Sequence, residues 1–265
     1  MGCYMRIDDS IIIDYLSNLD SVNYQNHWLF YNIEPNQYLF EEPDKSKKII
    51  VSKIYHQVIQ VLNDFTPFNA SIFKKLFPNY TELLEDLNIL LIVGCPNPYD
   101  AMFRKYEGTE YIVFDLIRFS QYVEQGYPLE DLITQFITHE FTHQCIHQAY
   151  PYSIDMTYQE KLSYIIFNEG IAHLLAFKSS IDPIDWKSEP YNLHYENAKM
   201  KLTKALQETD RDHQLNLLNQ ADSGPYWDKF GAIVGKIYFG LNLEYLETLY
   251  QKGYKTIIDN ILNEQ

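Results

Sequence analysis

The chain has 265 residues, 46% apolar and 15% aromatic, including 23 Tyr and 15 Phe. That suffices for one large domain, or for a catalytic domain with a smaller appendage, around a sizeable core. A formal charge of −15 argues against nucleic acid and against an anionic membrane surface, both of which want a basic face.

The segment Met1 to Ser10 lacks the basic-then-apolar layout of a signal peptide, and Arg6 stands where a myristoylation signal wants Ser or Thr. No apolar run approaches the ~20 residues needed to span a bilayer. The reading is a cytoplasmic protein with no membrane span. Cys3, Cys95 and Cys145 are odd in number and widely spaced, so free thiols are expected.

Residues 1–88 are expected to be mostly helical, packed on the core, with turn-rich breaks around Asn32 to Asp44 and Thr66 to Asn69. Within them, Lys47 to Phe65 has helical spacing that sets Ile50, Ile54, Val58, Ile59 and Leu62 on one face. Residues 89–265 are taken as a second region, although one continuous domain over 1–265 fits equally. Leu87 to Val93 is a short apolar run before Gly94-Cys95-Pro96 and reads as a buried strand. Pro96 and Pro98 then open a loop, and Tyr111 to Leu116 is a second strand.

From Pro128 onward the pattern is helical. Gly126 and Pro128 mark a start, and Pro151 ends that helix after Tyr150. Thr157 with Glu160 forms a capping box for a helix to about Lys178. Pro183 and Pro190 break the chain, and helices follow over Asn192 to Glu208, Trp227 to Phe239 and two short C-terminal stretches. The fold class is therefore α+β, a small sheet followed by a mainly helical body.

The chemistry is concentrated in Ile137-Thr138-His139-Glu140-Phe141-Thr142-His143. Two histidines four apart on a helix project from one face, so both imidazoles reach one tetrahedral zinc while the intervening Glu points at water. The apolar stripe of Leu129, Leu132, Ile133, Phe136 and Ile137 continues into Glu140, His143 and His147. These polar groups are thereby aimed at the core, where an unpaired carboxylate costs several kcal/mol unless something compensates. A zinc ion would compensate. In the next helix Glu169 interrupts the stripe of Leu162, Ile165, Ile166, Ala172 and Ala176. A short link makes the two helices an antiparallel hairpin and offers Glu169 as third ligand.

His-Glu-Phe-Thr-His followed by Phe167-Asn168-Glu169-Gly170-Ile171-Ala172 resembles the gluzincin zinc metallopeptidases. The likeness is to their aminopeptidase branch, whose second helix carries Asn-Glu-Gly-x-Ala, and to small bacterial zinc proteases of the same clan. Gly224-Pro225-Tyr226-Trp227-Asp228-Lys229-Phe230-Gly231 is similar to the segment where that branch places a tyrosine beside the reacting carbonyl. The resemblance covers roughly residues 89 to 250. It implies a zincin-like catalytic body with Zn2+ on His139, His143 and Glu169, Glu140 as general base and Tyr226 as oxyanion donor. No Gly-Ala-Met-Glu-Asn element grips a free amine, so the implied activity on a peptide or protein substrate is that of an endopeptidase or a selective processing protease. The alternative is a catalytically inactive binding or regulatory protein on the same fold.

The remaining candidates read more plainly. His147 is ~12 Å along the helix from His139, too far to share its zinc, and is assigned to packing or to supporting a ligand. His173, one turn beyond Glu169, is a rival ligand or a cleft residue. His194 and His213 are surface, core or cleft residues, and His27 and His56 are structural. Tyr111 to Leu116 is either an ordinary sheet strand or one that pairs with a substrate backbone.

Overall fold

The computed structural model describes residues 5–17, 20–34, 36–178 and 180–263; Cys3 lies outside them. The strands are β1 (Arg6–Asp8), β2 (Asn88–Ile92), β3 (Ala101–Tyr106) and β4 (Thr109–Asp115). The helices are α1 (Ser10–Leu16), α2 (Lys48–Asn63), α3 (Ala70–Leu76), α4 (Tyr80–Glu85), α5 (Leu116–Glu124) and α6 (Leu129–Ala149). They continue with α7 (Tyr158–Leu175), α8 (Glu189–Leu206), α9 (Arg211–Asp222), α10 (Phe230–Leu241), α11 (Leu246–Lys252) and α12 (Ile257–Leu262). The protein is α+β, with one small mixed sheet and a helical body. No helix among the described residues is long and apolar enough to cross a membrane.

The chain divides into two compact units, Met1–Pro67 with Asn79–Glu140, and Phe68–Pro78 with Phe141–Gln265. The first holds a four-stranded sheet in the order β1-β2-β4-β3. β1, β2 and β4 run parallel, with Leu90 opposite Val113, and β3 is antiparallel to β4. Burial of Ile89 through Ile92 on both faces explains why β2 is an unbroken apolar run. The hairpin from β3 to β4 turns through Glu107 and Gly108, both at positive φ, the backbone that a two-residue hairpin loop demands. β4 is hydrogen-bonded along both sides, to β2 and to β3. It has no open side for a substrate backbone, so the substrate-pairing reading of Tyr111 to Leu116 is set aside.

Asp115 ends β4 and caps α5. Its carboxylate accepts from the backbone N–H groups of Ile117 at 2.9 Å, Arg118 at 3.1 Å and Cys95 at 2.7 Å. The Arg118 Nε–H donates to the Cys95 carbonyl at 3.1 Å, so the turn after β2 and the start of α5 are tied together. Helix α2 buries Val51, Ile54, Val58 and Leu62, while Ile50 and Ile59 are half-buried; its buried face is turned slightly from the expected stripe.

The second unit is built on α7 and α10. The Thr157 hydroxyl accepts from the Glu160 N–H while the Glu160 carboxylate accepts from the Thr157 N–H at 2.9 Å, the expected capping box. Beyond the cap, buried residues ring the whole of α7, from Leu162 and Ser163 to Leu174 and Leu175. At its far end Asn69 donates to the carbonyls of Leu175 and Phe177, each at 3.0 Å. The Leu175 carbonyl is a terminal one that the helix itself leaves without a partner, and Phe177 lies just past the helix end. Every residue of α10 from Phe230 to Gly240 is buried. The helix begins at Phe230, three residues later than the spacing suggested, because Tyr226–Asp228 forms a separate short turn.

Candidate metal centre

Two helices supply the donors. Helix α6 buries Thr138, Phe141, Thr142, Cys145 and Ile146, and carries His139 and His143 one turn apart, with His143 only 8% exposed. Phe141 fixes its later turns by stacking on Phe73 at 5.6 Å. Glu169 lies on α7, and the next residue explains how tightly it is placed. A Cβ on Gly170 would come within 2.6 Å of the Gly235 carbonyl carbon, so α7 and α10 touch backbone to backbone beside Glu169. Only glycine allows that approach.

One ligand atom each from His139, His143 and Glu169 lies within 4.8 Å of the others. His143 Nε2 is 3.3 Å from Glu169 Oε1, close to the ~3.4 Å that separates neighbouring donors on a tetrahedral zinc with bonds near ~2.1 Å. Two imidazoles and one carboxylate form a donor set of the kind divalent cations take. The group could hold a metal ion. Glu140, the residue after His139, is half-buried. Arg104 of β3 stands within electrostatic reach of it: burial lowers the guanidinium pKa, and Glu140 is the first group opposing that.

The surroundings of Glu169 perturb its proton. Burial, and then the Asp222 carboxylate, push the Glu169 carboxyl up to about 8, against the pull of Lys229. His173 Nε2 lies 3.6 Å from Glu169 Oε2. Burial first, then Lys229, Lys236 and His143, hold that imidazole well below its ordinary range. His173 is therefore a neutral imidazole beside the carboxyl, outside the three-residue donor group. A cation there would draw the proton from Glu169, since a nearby positive charge favours the ionised carboxylate.

Tyr226 borders this cluster through His173, whose ring meets it edge-on at 5.4 Å. It shows 39% of its surface, yet its hydroxyl faces inward and accepts a hydrogen bond from Lys236 Nζ at 2.6 Å. His147 is outside the donor group, with its ring 6.1 Å from that of Tyr164. His194 stacks on Trp227 at 3.8 Å, and His213 is exposed beside Glu208 at 3.5 Å. His27 accepts from the Leu29 N–H at 3.4 Å, and His56 is exposed beside Tyr55. Cys95 and Cys145 are free and buried, and burial pushes both thiols up.

The sequence alone pointed to no role for Arg104, Asp222 or Lys236, and Lys229 entered only as part of the segment around Tyr226. For Lys236 a signal was present: it is the only charge in the apolar run Phe230 to Leu241. Arg104 gave none, because only the pairing of β3 with β4 places it. No protein-family model, curated protein or solved structure matches the chain.

Proposed function

We propose that the chain is a zinc-dependent peptidase of the gluzincin type, with a zincin-like body, acting on internal bonds of a peptide or protein substrate. The observation that carries this reading is the gathering of His139, His143 and Glu169 within 4.8 Å, with Glu140 between the two histidines in sequence. His139 and His143 would hold Zn2+ through imidazole nitrogens, and Glu169 through a carboxylate oxygen. The ion supplies Lewis acidity, which polarises a carbonyl and lowers the pKa of water.

The chain's own residues do the rest. The Glu140 carboxylate takes a proton from the attacking water and returns it to the leaving amine. Arg104 places a guanidinium within electrostatic reach of that carboxylate. Tyr226 keeps its phenol proton because burial pushes its pKa up to about 12. It can therefore donate to the oxygen of the scissile carbonyl as charge develops there.

Zinc-loaded protein incubated with a peptide library, with products read by mass spectrometry, tests the reading. Wild type should cut internal bonds, and Glu140→Gln should lose about 10²–10⁴-fold in rate while keeping its metal. Bound metal without cleavage of any peptide would replace the peptidase by a binding or regulatory protein.

A further inference from the structure

Lys236 stands in the middle of α10 and is 1% exposed. Among the described residues its polar partner is a phenol rather than a carboxylate, the Tyr226 hydroxyl at 2.6 Å. Three rings surround the ammonium, with centroids at 4.4 Å for Phe177, 5.2 Å for Tyr226 and 5.8 Å for Trp186. Burying an amine without a counter-charge is unfavourable, and aromatic faces offset only part of that. A leucine would pack here at no such cost, so the amine has a use that leucine lacks.

Hydrogen-bond direction shows what that use is. In this contact Nζ–H donates and the phenol oxygen accepts; in its protonated form the amine has no lone pair with which to accept in return. The phenol's own proton is then turned away from Lys236, toward a different acceptor. Both partners are held firmly. A Cβ on Gly235 would run into the Ile166 carbonyl oxygen of α7, so the residue beside Lys236 is locked on the helix that carries Glu169. Trp186 is fixed in turn, because a Cβ on Gly240 would run into its indole ring. The Tyr226 ring is held edge-on against His173.

We propose that Lys236 is a positioning residue for Tyr226: its amine anchors the phenol oxygen and so commits the phenol proton to the reacting carbonyl. The proposal rests on the peptidase reading, in which Tyr226 faces the substrate. Lys236 itself touches no substrate. While protonated, it also stabilises the electron-rich oxygen of a phenol that is donating strongly.

The test places a fluorinated tyrosine, whose phenol ionises closer to neutrality, at Tyr226. Its titration is followed by fluorine NMR in the full chain, with Lys236 intact and in Lys236→Met. Methionine keeps the bulk and removes the charge, so a purely structural lysine would leave the titration where it was. The expected result is a midpoint at least about one pH unit higher in Lys236→Met, as loss of the Nζ–H donor that favours the ionised oxygen requires, with an unchanged far-ultraviolet spectrum. Lys236→Leu, which likewise removes the donor, gives the same reading should the methionine variant not fold. An unmoved midpoint and an unmoved resonance in the folded variant would overturn the proposal. No turnover is needed to read the resonance. A chain that cuts no peptide would therefore refute the peptidase reading and leave the coupling of Lys236 to Tyr226 decided separately.

Discussion

Burial sets the charge states around Glu169. The same exclusion of water that pushes Glu169 up to about 8 pulls Lys236 down to about 7. For Lys236 the consequence for stability has a definite sign. Between about pH 7 and its ordinary 10.5 the folded chain binds fewer protons at this amine than the unfolded chain. Stability therefore rises with pH across that window, at a limiting slope of about 1.4 kcal/mol per pH unit. Urea unfolding of metal-free protein at several pH values should show this rise in wild type and a flatter profile in Lys236→Met. The methionine variant should also be the more stable of the two at pH 7. Equal slopes would show that the amine is as well solvated folded as unfolded. At this scale legibility depended on distance along the chain. His139 and His143 share a helix turn, and Glu169 falls on the next helix, so periodicity alone could nominate them. Tyr226 came only through resemblance. Lys236 pairs with it across a helix start, which spacing does not reveal.

Helices α7 and α10 show what elements contribute. Each is buried nearly all round, so the one-sided stripe expected of a surface helix is absent from both. Their approach is set by Gly170 and Gly235, where side chains would collide with backbone. Gly235→Ala should destabilise the chain by about 3 kcal/mol or more, since backbone cannot yield as a flexible side chain does. It should also weaken metal retention by displacing Glu169. A cost below about 1 kcal/mol in thermal unfolding would mean the crossing is looser than these distances imply. Strong local signals marked the elements that sequence reading found: the Thr157 and Glu160 box for α7, the apolar run for β2, and Pro128 and Pro151 around α6. Those it missed are weakly patterned. Strand β1 has only three residues, and β3 carries Arg104 and Lys105 on a sheet edge. In α9, Ala221 is the buried residue among mostly polar neighbours, so period alone could not separate it from a loop. Helix α5 follows β4 without a break, announced only by the Asp115 cap.

At the scale of the whole molecule, the α+β class followed from a short apolar run, a second strand and a long helical tail. The division into units did not follow from composition: its boundary falls after Glu140, inside the uninterrupted helix α6. The abundant tyrosines largely serve packing. Tyr150 donates to the Tyr250 carbonyl at 2.7 Å, and Tyr164 donates to the Tyr150 carbonyl at 3.2 Å, which ties distant segments of the second unit together. Everything proposed for this chain depends on His139, His143 and Glu169 holding one metal ion. Metal content by elemental mass spectrometry, on full-length chain purified without an affinity metal and reloaded with zinc, tests it most directly. Wild type should carry about one zinc per chain, retained in Glu140→Gln and His173→Ala and lost in Glu169→Ala. Wild type that takes up no zinc on reloading, or Glu169→Ala that keeps a full complement, would contradict it.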